Sequence, residues 1–213
     1  MNADDLGYDP EIDRGILEAH GRGVVTSATA MVDTRFAPAA LRAAPTTLGL
    51  GLHAVLDPAS SQAEAEAELL RQIGRFTELR GALPTHLDSH KHHHARPALL
   101  AAFTSVARAQ RFPVRALDGQ MRALLRASGV RTTDHFVGDA DLRPCWTPER
   151  LLTAVGALAP GTTELMCHPG YLPSHARTSF GAEREVEMRA VCDPAIRQEL
   201  QHACVALVTF GDI

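Results

Sequence analysis

Residues 48–55, LGLGLHAV, and residues 61–79, SQAEAEAELLRQIGRFTEL, decide the fold. The first segment is a short apolar run, which we interpret as a β-strand. The second begins at Ser61, a residue type favoured at helix N-caps, and continues with the Glu, Ala and Leu content of an amphipathic helix. A strand followed directly by a helix predicts one βα unit of a parallel sheet.

The same alternation of strand and helix runs along the whole chain. Seven strands within 213 residues favour an α/β barrel of the TIM-barrel type over a short open sheet. No linker, repeat or low-complexity segment divides residues 1–213, so we expect a single domain. The predicted strands are Val24–Val32, Leu48–Val55, Thr85–Asp88, Pro113–Leu117, Thr132–Phe136, Thr163–Cys167 and Val205–Phe210. The predicted helices are Asp9–His20, Ser61–Leu79, Pro97–Gln110, Gly119–Ser128, Pro148–Leu158 and Glu183–His202, the last interrupted near Pro194.

The first residues of the chain do not fit a complete barrel. Residues 2–7, NADDLG, look like the turn that follows a strand, yet only Met1 precedes them. We therefore expect a distorted barrel whose first strand is missing or truncated. Either the chain starts upstream of Met1, or the barrel closes with seven strands. Apolar surface left bare by a missing strand could be covered by a second subunit, which keeps a homo-oligomer open as an alternative.

The composition excludes several classes of partner. A formal net charge of −4 and a pI near 6.2 give no electrostatic reason to expect a nucleic-acid or anionic-membrane partner. No apolar run reaches the roughly 18–20 residues that a membrane-spanning helix needs. The four cysteines are widely spaced and follow no secretory leader, which is typical of reduced thiols. We expect a cytoplasmic protein.

Polar residues collect where the predicted strands end. They are Asp4 and Asp5 in the first turn, His53 after LGLGL, the Asp88–His90 stretch, and His168 in an HPG turn. Because the loops after the strands of a parallel barrel converge on one face, we expect these groups to lie close together. Two histidines and one carboxylate would hold a divalent cation and leave coordination positions open for water or substrate. Asp5 could reach that metal while Asp4, as general base, faces the water.

Each of these groups also has a structural interpretation. Asp4 or Asp5 could cap the helix that begins near Asp9, and a lone His53 is often only a hydrogen-bonded structural residue. The histidines at positions 86–94 could form a surface tract, and the HPG turn at His168 could be no more than a turn. Their common position at the ends of different strands favours function.

At these motifs the chain resembles the YdjC-like carbohydrate deacetylase family, which includes chitooligosaccharide and hopanoid-biosynthesis deacetylases. The resemblance rests on residues 2–7 (NADDLG), 23–29 (GVVTSAT), 50–53 (LGLH), 84–92 (PTHLDSHKH) and 164–171 (ELMCHPGY). It implies a TIM-barrel-like fold and a hydrolase that removes acetyl groups from an N-acetylated sugar, a small-molecule substrate.

The resemblance also implies roles for single residues. Asp5, His53 and His90 would hold one divalent metal ion, Mg²⁺ or Zn²⁺, with Mn²⁺, Co²⁺ and Ni²⁺ also compatible. Asp4 would be the general base, and His168 is the candidate acid that protonates the departing amine. Weaker candidates for that proton, or for binding the sugar, are His92 and His94. The residues expected to orient His90 are His86 and Asp88.

Two departures and two alternatives bear on the substrate and the reaction. Only Asp57–Ser60 separates the GLH strand from the next helix, where relatives carry a long insertion, and aromatic residues make up only 5% of the chain. An open cleft and few stacking platforms follow from this. A metal-dependent phosphoesterase is one alternative: many such enzymes bind two metals, which takes more carboxylate or histidine ligands, and the spare histidines at positions 92–94 leave this possible. A catalytically degenerate barrel would bind metal without releasing acetate.

Overall fold

The computed structural model describes residues 1–138 and 145–213. Its centre is an all-parallel, curled sheet of six strands in the order β4-β3-β2-β1-β6-β5. The strands are β1 Asn2–Leu6, β2 Ser27–Ala30, β3 Gly49–Ala54, β4 Leu87–Ser89, β5 His135–Val137 and β6 Thr163–Cys167. The helices are α1 Pro10–Arg22, α2 Ala37–Ala43, α3 Gln62–Arg80, α4 Pro97–Gln110, α5 Gly119–Ala127, α6 Pro148–Gly156, α7 Glu183–Val191 and α8 Pro194–His202. Short 3₁₀ helices cover His90–Ala95 and Phe210–Asp212.

The expectation that the first strand is missing or truncated is wrong. Residues 2–6 are themselves the strand β1, which is buried throughout and pairs with both β2 and β6. Asn and Asp are poor strand formers, so the sequence resembled a turn. The strand is stable because its polar side chains, Asn2 and Asp4, have buried hydrogen-bond partners. With β1 in place, the bare surface that would have suggested a homo-oligomer is filled.

Two other predicted strands differ from the structure. At Pro113–Leu117 the chain makes one isolated bridge, Leu87 to Val114, beside β4, and the Val114 N–H donates to the carbonyl of Arg131. Val205–Phe210 is not a strand. It runs across the amino ends of the strands, where the Phe210 N–H donates to the hydroxyl of Ser27. The described strands therefore form a curled, all-parallel six-stranded sheet of an α/β fold.

The helices follow the signals in the sequence. α3 begins with a capping box between Ser61 and Glu64 and ends at Gly81, whose φ of 76° is the left-handed conformation that glycine adopts freely. The predicted last helix is two helices, because Asp193 caps a new one at Pro194. In residues 1–138 and 145–213, no helix is both long and apolar enough to cross a bilayer.

Candidate metal centre

Three of the predicted site residues meet at the carboxyl ends of their strands. Asp5 lies in β1, His53 in β3, and His90 directly after β4. The Asp5 Oδ1 atom is 3.4 Å from His53 Nε2 and 3.4 Å from His90 Nδ1. One ligand atom from each of the three residues lies within 4.8 Å of the others. The structure thus brings together the carboxylate and the two imidazoles that the sequence singled out.

The donor set fits a divalent cation. Asp5 Oδ1 is buried and has no hydrogen-bond partner among the described residues. A buried, unpaired carboxylate oxygen is costly, and a cation between it and two imidazole nitrogens would satisfy it. Three protein ligands leave positions open, as catalytic metal sites require. The same donors suit several divalent ions, Zn²⁺ among them.

Unusual backbone conformations place two of these ligands. Asp5 has a φ of 74°, which interrupts the hydrogen-bond ladder between β1 and β2. Its side chain therefore does not follow the alternating directions that side chains take along a regular strand. Lys91 and His92, directly after His90, have φ values of 56° and 54°. Non-glycine residues rarely adopt this left-handed region, and such conformations concentrate at functional sites. No residue of the site caps α1, because Asp9 fills that role.

Asp88 fixes the orientation of His53. The register of β3 and β4 pairs the two residues, and His53 Nδ1 lies 2.7 Å from Asp88 Oδ1, so that Nε2 faces Asp5. Burial alone would lower the pKa of His53, but Asp88 and Asp4 raise it to about 10. The expectation that Asp88 orients His90 is therefore wrong.

His86 does not orient His90 either. Its Nε2 atom lies 3.1 Å from Asn2 Oδ1, and its ring stacks on Phe210 with centroids 4.0 Å apart. The ring also packs against Gly51, where a Cβ atom would lie 2.5 Å from it. This contact explains the glycine before Leu52-His53: only a residue without a side chain leaves room for the His86 ring.

Asp4 belongs to a buried ion cluster centred on Arg115. The fully buried guanidinium donates from Nη1 to Asp4 Oδ2 and from Nη2 to Asp4 Oδ1, both at 2.7 Å. It also contacts Asp88 Oδ2 at 2.9 Å and donates from Nε to Glu164 Oε1 at 2.8 Å. Burial would raise the pKa of Asp4, but Arg115 holds it well below its usual range. Burial raises the pKa of Glu164 to about 7.

The Arg115 cluster also decides against a second metal at the neighbouring ligand group. Asp4, His53 and Asp88 lie close enough together to hold an ion. However, the Arg115 guanidinium already contacts both carboxylates of that group. A cation there would have to displace a buried positive charge.

His168 is placed differently from the metal ligands. Its backbone N–H donates to Glu187 Oε2 at 2.6 Å, and its ring packs against Phe180 with centroids 5.1 Å apart. The Nδ1 atom is buried without a hydrogen-bond partner among the described residues.

The two weaker candidates for the proton donor have other environments. His94 is fully buried and its Nδ1 lies 2.7 Å from the Ser89 hydroxyl; burial holds its pKa well below the usual range. His92 packs edge-on against Phe136, and burial lowers its pKa to about 3. Both imidazoles are therefore neutral at pH 7 and are poorly suited to donate a proton.

Sequence reasoning missed two arginines. Arg115 lies in a predicted apolar strand, where a buried charge is itself a signal of a polar cluster. Arg184, in the first turn of α7, is 1% exposed and donates from Nη2 to Asp5 Oδ2 at 2.6 Å. Nothing in the sequence around Arg184 distinguishes it from Arg189, the other arginine of the helix.

Comparisons with known proteins agree with this arrangement. The chain matches the family model of the YdjC-like protein over residues 1–61 and 57–202. It is 34% identical to a carbohydrate deacetylase of Brevibacillus brevis, with 100% of this chain and 98% of the relative covered. It is 30% identical to a chitooligosaccharide deacetylase of Serratia marcescens, with 100% and 98% covered. A crystal structure from Enterococcus faecalis V583, of a protein named for cellobiose-phosphate cleavage, has the same fold. The TM-score is 0.89 at 24% identity, over 99% of this chain and 96% of that one.

Proposed function

Because the chain belongs to the YdjC-like protein family, we propose that it is a metal-dependent hydrolase that removes acetyl groups from an N-acetylated carbohydrate. The names of its full-length relatives, carbohydrate deacetylase and chitooligosaccharide deacetylase, support the reaction class. The observation that carries the metal dependence is the buried Asp5 Oδ1 atom, which has no hydrogen-bond partner among the described residues and lies 3.4 Å from one nitrogen each of His53 and His90.

In this proposal Asp5, His53 and His90 hold the metal. A divalent cation supplies polarisation of the acetamide carbonyl and lowers the pKa of a water molecule. Asp88 keeps His53 in the tautomer that presents Nε2 to the site. Asp5, His53 and Asp88 are buried, which strengthens the charge interactions among them, whereas the His90 side chain is 29% exposed.

Asp4 takes the proton of the attacking water. Its Oδ1 atom accepts from Arg115, Asn2 and Thr29. The Oδ2 atom accepts one hydrogen bond, from Arg115 Nη1, among the described residues. A carboxylate oxygen has two lone pairs, so Oδ2 retains one for a proton. The two bonds from Arg115 fix the direction in which that lone pair points.

His168 protonates the departing amine. An amine is a poor leaving group unless it receives a proton as the C–N bond breaks, so a general acid is needed on the far side of the substrate from Asp4. His168 has a buried Nδ1 free of other partners among residues 1–138 and 145–213. The neutral imidazoles of His92 and His94 make them weaker choices.

We also infer that the curled sheet belongs to a distorted (β/α) barrel. The N–H of Leu87 donates to the carbonyl of Pro113, and the N–H of Val114 donates to the carbonyl of Arg131. These bonds continue the sheet from β4 towards β5. Such a path would bring the loops after all strands to one rim.

An acetate-release screen tests the proposed function. Purified, metal-free protein is incubated with N-acetylated mono- and oligosaccharides and glycoconjugates, and Zn²⁺, Mg²⁺, Mn²⁺, Co²⁺ and Ni²⁺ are added singly. We expect acetate and an equal amount of free amine with at least one metal, and neither product from Asp5→Ala. One bound ion per chain without acetate from any substrate would instead indicate a degenerate barrel. Two tightly bound ions and phosphoester hydrolysis would favour a phosphoesterase.

A further inference from the structure

Arg184 joins the metal-binding carboxylate to the segment that follows β6. Its Nη2 atom donates to Asp5 Oδ2 at 2.6 Å, and its Nε atom donates to the carbonyl of Phe180 at 3.0 Å. Its backbone carbonyl accepts from the N–H of Gly170 at 3.3 Å. The side chain is 1% exposed, so these contacts are shielded from water. A planar guanidinium held at two points has little freedom to move.

The HPG turn is shaped to admit this side chain. A Cβ atom on Gly170 would lie 3.2 Å from Arg184 Cδ and 3.3 Å from the Cα atom of Ile12. A Cβ atom on Gly15, in α1, would lie 2.4 Å from the Cα atom of Gly170. Two glycines therefore let the turn pack closely against α1 and Arg184, which keeps Arg184 aimed at Asp5.

The contact divides the two oxygens of Asp5 between two partners. Oδ2 accepts from Arg184, whereas Oδ1 has no hydrogen-bond partner in residues 1–138 and 145–213 and faces the nitrogens of His53 and His90. Carboxylates bind metals through one oxygen or through both, and the second mode fills an additional coordination position. A catalytic metal needs that position for water or substrate.

We propose that Arg184 is a positioning residue that restricts Asp5 to metal coordination through Oδ1 alone and so keeps one coordination position open. The inference rests on the proposed metal site, but its test measures coordination separately from acetate release. Without Arg184, Oδ2 is free to turn to the metal. The ion would gain a ligand, and the coordination position needed for water or substrate would be lost.

The test uses Co²⁺ as a visible probe in Arg184→Met and Arg184→Lys. Met removes the charge and keeps the length, whereas Lys keeps the charge but cannot donate to Asp5 and Phe180 in a fork. Arg189→Met, on the exposed side of the same helix, is the matched control. Co²⁺ affinity is measured by calorimetry, coordination by the visible absorption of the Co²⁺ protein, and stability by urea unfolding.

We expect Arg184→Met to bind Co²⁺ at least as tightly as the wild type, because a positive charge near the ion is gone. Its visible absorption should weaken, since Co²⁺ with more ligands absorbs less strongly. The kcat for acetate release should fall about 10- to 100-fold. Arg184→Lys should show the same spectral change, and it carries the test if the Met variant does not fold. Arg189→Met should match the wild type.

An unchanged Co²⁺ spectrum in both folded variants, with metal affinity and unfolding free energy lowered together, would overturn the inference and leave Arg184 a structural clamp. That outcome is independent of whether the wild type releases acetate. If the wild type binds no Co²⁺ or Zn²⁺, the proposed metal site fails and the inference fails with it.

Discussion

Arg115 and Asp4 form a two-point ion pair at the centre of the sheet, with both carboxylate oxygens 2.7 Å from the guanidinium nitrogens. Arg115 is simultaneously the partner of Asp88 and Glu164. One buried positive charge therefore faces three carboxylates. Arg115 both stabilises the fold and orients the candidate base Asp4, so stability and activity must be measured separately in variants of this cluster.

Arg115→Met should lower the free energy of unfolding by about 3–5 kcal/mol, because it leaves three buried carboxylates without their cation. The measurement is urea denaturation at pH 7. Arg75→Met removes an exposed arginine that pairs with Glu78 at the surface, and should cost less than about 1 kcal/mol. Equal losses in the two variants would contradict the central role of Arg115.

Glu164→Gln should remove a pH dependence of stability. Burial raises the pKa of Glu164 from 4.5 to about 7, so the folded state binds the proton more tightly than the unfolded state. The stability contributed by that proton is complete below pH 4.5 and is lost as the pH rises through 7. The loss amounts to roughly 3 kcal/mol. Urea unfolding at pH 5 and pH 8 should show this decrease in the wild type and a smaller one in Glu164→Gln. A wild type equally stable at both pH values would contradict it.

Asp4→Asn should keep the metal and lose turnover. The ligand atoms of Asp5, His53 and His90 are untouched, but the amide cannot take a proton from water. We expect kcat to fall by about 10²–10⁴ while one ion per chain remains by elemental analysis. Asp33→Asn alters an exposed carboxylate paired with Arg71 and serves as the control. Normal turnover in Asp4→Asn would assign the base elsewhere.

His168→Ala should distinguish substrates by their leaving groups. An amine leaving group needs a proton, whereas p-nitrophenolate leaves without one. The variant should therefore lose about 100-fold or more in kcat on an N-acetyl sugar but much less on p-nitrophenyl acetate, with metal content unchanged. His202→Ala, an exposed histidine at the end of α8, should affect neither substrate. An equal loss on both substrates would point to a structural role for His168.

The sequence could predict which groups meet, but not how they are held. Asp5, His53 and His90 were predictable as neighbours because the carboxyl ends of parallel strands share one rim, whatever the details of the barrel. The partners of Asp4 and Asp5 were not predictable, because Arg115 is 111 residues from Asp4 and Arg184 is 179 residues from Asp5 along the chain. No periodic pattern connects residues at such distances.

The error at β1 has the same origin. Asn and Asp oppose strand formation when they face an apolar core. They are stable in β1 because the interior of the sheet is polar at that point, through Arg115 and the hydroxyl of Thr29. Local propensity pointed to a turn, and a tertiary ion cluster outweighed it.

Metal binding should release a proton from His53. In the metal-free protein, burial opposes the charge on this imidazole, but Asp88 and Asp4 raise its pKa to about 10, so it is protonated at pH 8. A metal ion requires the neutral ring, so the proton must leave. The loss of this one proton should make the apparent affinity for the metal rise about tenfold per pH unit until the pH reaches the pKa of His53. Calorimetric titration with Zn²⁺ at pH 8, in two buffers of different protonation enthalpy, should count about one proton per ion from this group.

Asp88→Asn removes the carboxylate that stabilises the charged ring and orients it; we expect fewer protons released and an affinity about 10- to 100-fold weaker. Asp33→Asn is the control and should behave like the wild type. If the heat of Zn²⁺ binding to the wild type did not depend on the buffer, His53 would be neutral before the metal binds.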